Sequence, residues 1–252
     1  HVNSKGINIR IPEPDHPIME QDIEKMKTLL SKIESVFEEH DVVFLLTDSR
    51  ESRWLPTLLC ESKNKLAICS AIGAESFLVM RHSYIGPNVS ISDDLNISSD
   101  YLGCYFCSDI SCPSNSQINK TMDLKCSVTR PGISMMAAAH SVELLISLIQ
   151  HPRGFCASAP FSYKDIDAET ERSFGIVPHQ IRYFQSSYTT MLSTIPKFKR
   201  CSACSIHILE EFEKRGYDFV IDVCNNSNTL AKVSKILELV ISMEPPIDML
   251  HF

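Results

Sequence analysis

The chain has 252 residues, of which 44% are apolar and 22% charged, and a net charge of −7. This composition supports a sizeable core in one large domain or two small ones, and it excludes general disorder. The acidic balance excludes an indiscriminate nucleic-acid binder, which needs a basic face, and no uninterrupted apolar stretch approaches the ~20 residues of a membrane span.

The chain opens with His1 and polar, proline-containing residues, so no signal peptide is read there and a fragment or incomplete gene model is expected. "INIRIP" (7–12) alternates like a short strand and is closed by Pro12 and Pro14. From Met19 to His40, Ile23, Met26, Leu29, Leu30, Ile33, Val36 and Phe37 recur at three and four, which predicts an amphipathic helix. "DVVFLLTD" (41–48) reads as a buried parallel strand and "SRESRWLPTLL" (49–59) as a following helix. "KLAICSAIG" (65–73) and "SFLVMRH" (76–82) read as two further strands. This alternation predicts an α/β fold with a mainly parallel sheet and flanking helices.

Residues 83–125, rich in Ser, Asn and Asp, break the pattern and read as a long loop or insertion. Pro131 and Gly132 open a very apolar, buried helix that ends near Gln150, before His151-Pro152. Residues 176–192 and 205–216 read as helices, the second stopped by Gly216. The tail from 224 to 252 is expected to be helical, then irregular.

Ten cysteines are present, and two pairs stand out: Cys104/Cys107 in "CYFC" and Cys201/Cys204 in "CSAC". Each spacing sets two thiolates on one tight turn, and two such turns complete a tetrahedron around Zn²⁺. Two disulfides or a thioredoxin-like redox pair compete with that reading. The redox reading needs a helix start, and "GCYFCSD" lies in a polar segment instead.

Cys126 stands in a polar stretch, four residues before Arg130 and just ahead of the Pro131-Gly132 helix start. A cation and a helix N-terminus both raise the thiolate fraction, so Arg130 is a candidate support for a nucleophilic Cys126. Composition alone leaves it between a reactive thiol and an inert one. Asp48, at the carboxyl end of a predicted strand, is placed to hold Mg²⁺ near a phosphate, with Arg50 and Arg53 adding positive charge. The plainer reading is a turn-initiating Asp and a solvated "RESR" segment. His140, His179 and Trp54 read as packed structural residues.

"DVVFLLTDSRESRWLP", "LGCYFC", "CSVTRPG", "IVPHQIR" and "CSAC", in this order, resemble the C-terminal adenylation domain of the autophagy-related protein 7 family. The resemblance covers roughly residues 1–223 and implies a ThiF/MoeB-like adenylation fold, its nucleotide-binding half truncated, followed by a divergent tail (224–252). It implies an enzyme that uses ATP and Mg²⁺ to adenylate the C-terminal glycine of ubiquitin-like modifiers, autophagy-related proteins 8 and 12. The acyl group then passes to a cysteine as a thioester, and onward to the conjugating enzymes, autophagy-related proteins 3 and 10. Within this resemblance Cys126 is the thioester nucleophile, Asp48 the acidic residue of the Mg²⁺-adenylate site, and Cys104, Cys107, Cys201 and Cys204 the ligands of a structural zinc. A homodimer in the cytoplasm, recruited to the preautophagosomal structure, is implied as well.

The family's glycine-rich nucleotide loop has no counterpart here, since no GxGxxG-like sequence occurs. The chain alone is therefore expected to be inactive for adenylation. The alternative is a catalytically incomplete, zinc-stabilised interaction or dimerisation module.

Overall fold

The computed structural model describes residues 3–87, 95–116, 128–163, 175–226 and 228–243. Helix α1 (Ile23–Glu38) leads into β1 (Val42–Leu45), α2 (Trp54–Ser62), β2 (Leu66–Ile72) and β3 (Ser76–Arg81). A short strand β4 (Asn96–Ile97) precedes α3 (Ile133–Gln150) and pairs with β5 (Ala159–Pro160). A hairpin of β6 (Gln180–Phe184) and β7 (Thr189–Ser193) follows. Helices α4 (Ile206–Arg215), α5 (Tyr217–Asn225), α6 (Thr229–Val233) and α7 (Ile236–Met243) come last.

The main sheet has the order β1-β2-β3-β6-β7. The α/β layering is as expected, but the sheet is mixed and not mainly parallel. Only β1 and β2 pair in parallel, with Val42 opposite Leu66, while β2–β3, β3–β6 and β6–β7 are antiparallel. The connections explain this. A parallel return needs a crossover, and α2 supplies one between β1 and β2. Residues 73–75 between β2 and β3, and 185–188 between β6 and β7, are long enough only for hairpins.

Strand β2 is the centre of the layering. Leu66 and Ile68 face α3 with Phe77, Val79, Ala137 and Leu144, while Ala67 and Cys69 join Leu45, Cys60 and Met80 on the opposite side. Both faces are covered, which is why the strand reads as a continuous apolar run. Strand β1 is not the buried strand expected: it lies at the sheet edge, with Phe44 and, beyond its end, Leu46 exposed. Helix α3 is likewise buried on one face only. Ile133, Ala137, Ser141, Leu144 and Leu148 follow helical spacing onto the sheet, whereas Met135, Val142, Ile146 and Ile149 are exposed. By length and composition alone this helix could cross a membrane.

Two other expectations are corrected. Residues 7–12 form no strand; Ile9 and Ile11 pack against the helical core as extended chain, because Pro12 and Pro14 have no N–H to donate to a ladder. Residues 176–192 are the β6/β7 hairpin, not a helix. Aromatic and β-branched residues (Tyr183, Phe184, Thr189, Thr190) favour strands, and Tyr188 closes the turn at φ +52°. Helix α4 ends as expected at Gly216, whose φ of +54° suits glycine. Residues 83–125 hold β4 and a 3₁₀ turn at Ser99–Tyr101 in their described part.

Candidate functional site

The two CxxC turns meet although they lie far apart in sequence. Cys104 Sγ is 3.5 Å from Cys201 Sγ and 3.8 Å from Cys107 Sγ, and Cys107 Sγ is 3.3 Å from Cys204 Sγ. These separations exceed the ~2.05 Å of a disulfide. They sit near the ~3.8 Å edge of a tetrahedron whose centre lies about 2.3 Å from each sulfur, the zinc–thiolate distance. Cys104, Cys201 and Cys204 are buried and Cys107 is half-buried. Hydrogen bonding with Cys104, Cys201 and Cys204 pushes the Cys107 thiol down, while burial pushes that of Cys104 up. Without a cation the four sulfurs cannot all ionise; a divalent ion would balance them. The set fits zinc. Its four thiolates would leave no open coordination position, so a bound ion would clip two segments together.

Local sequence builds this centre. Backbone N–H groups of Cys104, Phe106, Phe198 and Ala203 point at the sulfurs at 3.3–3.5 Å. A Cβ on Gly103 would lie 2.9 Å from both the Cys107 Cβ and the Pro196 carbonyl oxygen, so only glycine lets the first turn approach the second segment. His179 bridges the same place: its Nε2 donates to the Gly103 carbonyl at 2.9 Å, and its Nδ1 accepts from Ile195 N–H at 3.1 Å. This arrangement fixes a neutral ring, and burial pulls its pKa down to about 3. His82, which accepts from Tyr105 N–H at 3.2 Å, is pulled down by burial to about 4.

A cleft of about 660 Å³ opens beside the turn that follows β1, lined by Asp48, Arg50, Arg53, Tyr105, Asp109 and Arg182 among others. Arg50 pairs with Asp109 at 2.8 Å and donates to the Ser111 carbonyl at 2.7 Å, so its guanidinium is committed to the 109–111 segment. Arg53 is buried, lies over the Tyr105 ring at 4.8 Å and donates to the Tyr105 hydroxyl at 3.1 Å. Its Nε and the neighbouring Thr47 Oγ1 are buried without a partner among the described residues. Unpartnered donors at the mouth of a strand are what an anionic ligand would satisfy.

The structure thus brings Asp48, Arg50 and Arg53 to one cleft and the four paired cysteines to one centre. Arg130 forms an ion pair with Glu75 on the β2–β3 turn at 3.0 Å and donates its N–H to the Ala74 carbonyl. Cys126 lies outside the described residues. Trp54 and His140 pack as read, Trp54 fully buried and His140 against Phe77. Sequence reasoning missed Arg182, hidden by the mistaken helix over β6. It also missed the pair of Lys197 and buried Glu61, 3.0 Å apart, beside the cysteine centre. Arg182 ends the quoted "IVPHQIR" segment, which could have pointed to it, whereas Lys197 and Glu61 lie in no such motif.

The ThiF family profile matches residues 12–180 of this chain, and the chain belongs to that family. Among named relatives, the ubiquitin-like modifier-activating enzyme atg7 of Dictyostelium discoideum is 40% identical over 243 residues, 94% of this chain and 34% of its own length. The mouse enzyme of the same name is 40% identical over 247 residues, 90% of this chain and 35% of its own. That of Cryptococcus neoformans is 41% identical over 255 residues, 98% and 37%. The chain spans about a third of the length of these relatives. The crystal structure of E. coli MccB aligns with 70% of this chain and 42% of its own at 12% identity and a TM-score of 0.39, a likeness too slight to add to the fold.

Proposed function

We propose that the chain is the thioester-forming part of an ATP-dependent activating enzyme for ubiquitin-like modifiers, acting in autophagy. The observation that carries this is the cleft at the end of β1, where Asp48 stands beside Arg53 with its unpartnered Nε, in a chain of the ThiF family. In this reading Asp48 orients Mg²⁺ and Arg53, with a lesser share for Arg50, holds phosphate oxygens of ATP. The modifier's terminal carboxylate displaces pyrophosphate to give the acyl-adenylate. The Cys126 thiolate then attacks the acyl carbon, AMP leaves, and the thioester is passed to the cysteine of a conjugating enzyme. Arg130, four residues on in the sequence, is paired with Glu75, so it would support the thiolate only by leaving that partner. The tetra-cysteine centre holds structural zinc away from these steps.

The modifiers are proposed to be autophagy-related proteins 8 and 12, the conjugating enzymes autophagy-related proteins 3 and 10, the assembly a homodimer, and the compartment the cytoplasm. Support comes from relatives named as activating enzymes, which also weigh against a mere interaction module. The test is a trap: the complete protein with ATP, Mg²⁺ and modifier should give a reductant-sensitive adduct that is lost in Cys126→Ala. A reducible adduct surviving that substitution would exclude Cys126 as nucleophile. Residues 1–252 alone should show no ATP–pyrophosphate exchange.

A further inference from the structure

We propose that Glu13, His16 and Glu51 form a second cation site, separate from the four cysteines, which takes one divalent ion of the zinc class. One ligand atom from each of the three lies within 4.8 Å of the others. The residues come from distant segments, a proline-rich turn ahead of α1 and the 3₁₀ turn Glu51–Arg53 that precedes α2.

Glu51 supplies the decisive observation. It is fully buried, its Oε1 accepts from Ser116 N–H and Oγ at 3.1 and 2.5 Å, and its Oε2 is buried with no hydrogen-bond partner among the described residues. No Lys or Arg forms an ion pair with it among the described residues. A carboxylate oxygen left bare inside a protein is costly, and a bound cation is one of the few partners that relieves it.

The other two ligands are oriented for the same task. His16 Nδ1 lies 3.0 Å from the Pro14 carbonyl oxygen, which can only accept, so Nδ1 carries a proton and Nε2 is the nitrogen that remains to ligate. Nε2 stands 3.5 Å from Glu13 Oε2, long for a charged hydrogen bond. That separation is close to the ~3.4 Å edge expected between two ligands about 2.1 Å from a tetrahedral ion. A backbone carbonyl fixing one imidazole nitrogen while the other ligates is the usual support of a metal-bound histidine.

The turn itself is pinned. Asp15 sits at φ +62°, its N–H donates to the Val223 carbonyl at 3.2 Å, and its carboxylate accepts from Asn115 N–H at 3.2 Å. Two carboxylates and a neutral imidazole balance one divalent charge, and the imidazole selects a first-row transition ion over Mg²⁺ or Ca²⁺. Held this way, the ion would tie the turn ahead of α1 to the turn that carries Arg53 into the cleft.

Equilibrium dialysis of the full chain against Zn²⁺ tests the site. The unaltered protein should saturate at about two equivalents per chain, one on the cysteines and one here. His16→Ala and Glu51→Gln should each saturate at about one equivalent, and retention of the cysteine-held ion reports that they fold. If Glu51→Gln loses that ion too, His16→Ala, whose side chain is half-buried, decides. Saturation of the unaltered chain at one equivalent, as a simple His16–Glu13 ion pair would give, overturns the proposal. So does saturation of His16→Ala at the level of the unaltered chain.

Discussion

Trp54 Nε1 donates to the carbonyl of Ser202 at 2.9 Å, tying the first residue of α2 to the middle of the second cysteine turn. Trp54 is fully buried and stands edge-on to Phe219, so one side chain joins the cleft-lining segment, the second cysteine turn and α5. Trp54→Phe keeps most of the apolar area and removes only the donor. The buried Ser202 carbonyl then lacks that partner, and a loss of about 1–3 kcal/mol is expected. Chemical denaturation should show that loss, with faster release of the cysteine-held ion to a chelator. Unchanged stability would mean that the bond is replaced by solvent.

Removing the zinc proposed for the four cysteines should unfold the chain. A structural zinc site contributes on the order of 10 kcal/mol or more, and a domain's whole stability is about 5–15 kcal/mol. Cys201→Ser, or a tight chelator, is therefore expected to abolish the cooperative thermal transition seen by circular dichroism. Survival of that transition would show that the sulfurs are not load carriers.

Gly103→Ala should weaken the same centre without touching a ligand. The new methyl would press on the Pro196 carbonyl and the Cys107 Cβ at 2.9 Å, and neither is a flexible chain end. A cost of about 1–3 kcal/mol follows from forced overpacking. Zinc affinity, measured by competition with a chromophoric chelator, should fall by roughly 5- to 150-fold, the same free energy.

Acid should destabilise the fold through its buried histidines. The folded pKa values of His179 and His82 are depressed from 6.5 to about 3 and about 4, burial being the first cause of each. Below pH 6.5 the unfolded chain takes up protons that the folded chain refuses. Stability is thus fully present above pH 6.5 and is lost as pH falls towards 4 and 3. The expected slope is about 1.4 kcal/mol per pH unit for each ring. His179→Gln, which keeps a donor for the Gly103 carbonyl, should reduce the slope between pH 6 and 4.5 by one proton's worth. An unaltered slope would assign the acid sensitivity to other groups.

The cysteine centre was legible because its chemistry is written in local spacing: two short CxxC repeats need no knowledge of the fold. The sheet core was legible for a similar reason, since Leu66 to Ile72 is apolar on both faces. What the sequence concealed was direction and company. Val177, Ile181 and Phe184 recur at helical spacing, yet Ile181 pairs with Val79 on one side and Leu192 on the other. Helix α3 was too apolar for its amphipathic character to show. In the candidate cleft, Asp48 and Arg53 could be picked out because they follow a strand. The place of Arg182 in the cleft and the bare oxygen of Glu51 depend on contacts made across the fold, which no short window contains.

Cys104 and Cys201 are 97 positions apart in the polypeptide. During synthesis the first pair leaves the ribosome long before the second exists, so the four sulfurs can meet only after Cys204 has emerged. Until then Cys104 and Cys107 must remain reduced and shielded from competing soft metals. Biogenesis of this protein therefore depends on the thiol poise of its compartment at a moment when the nascent chain is least protected.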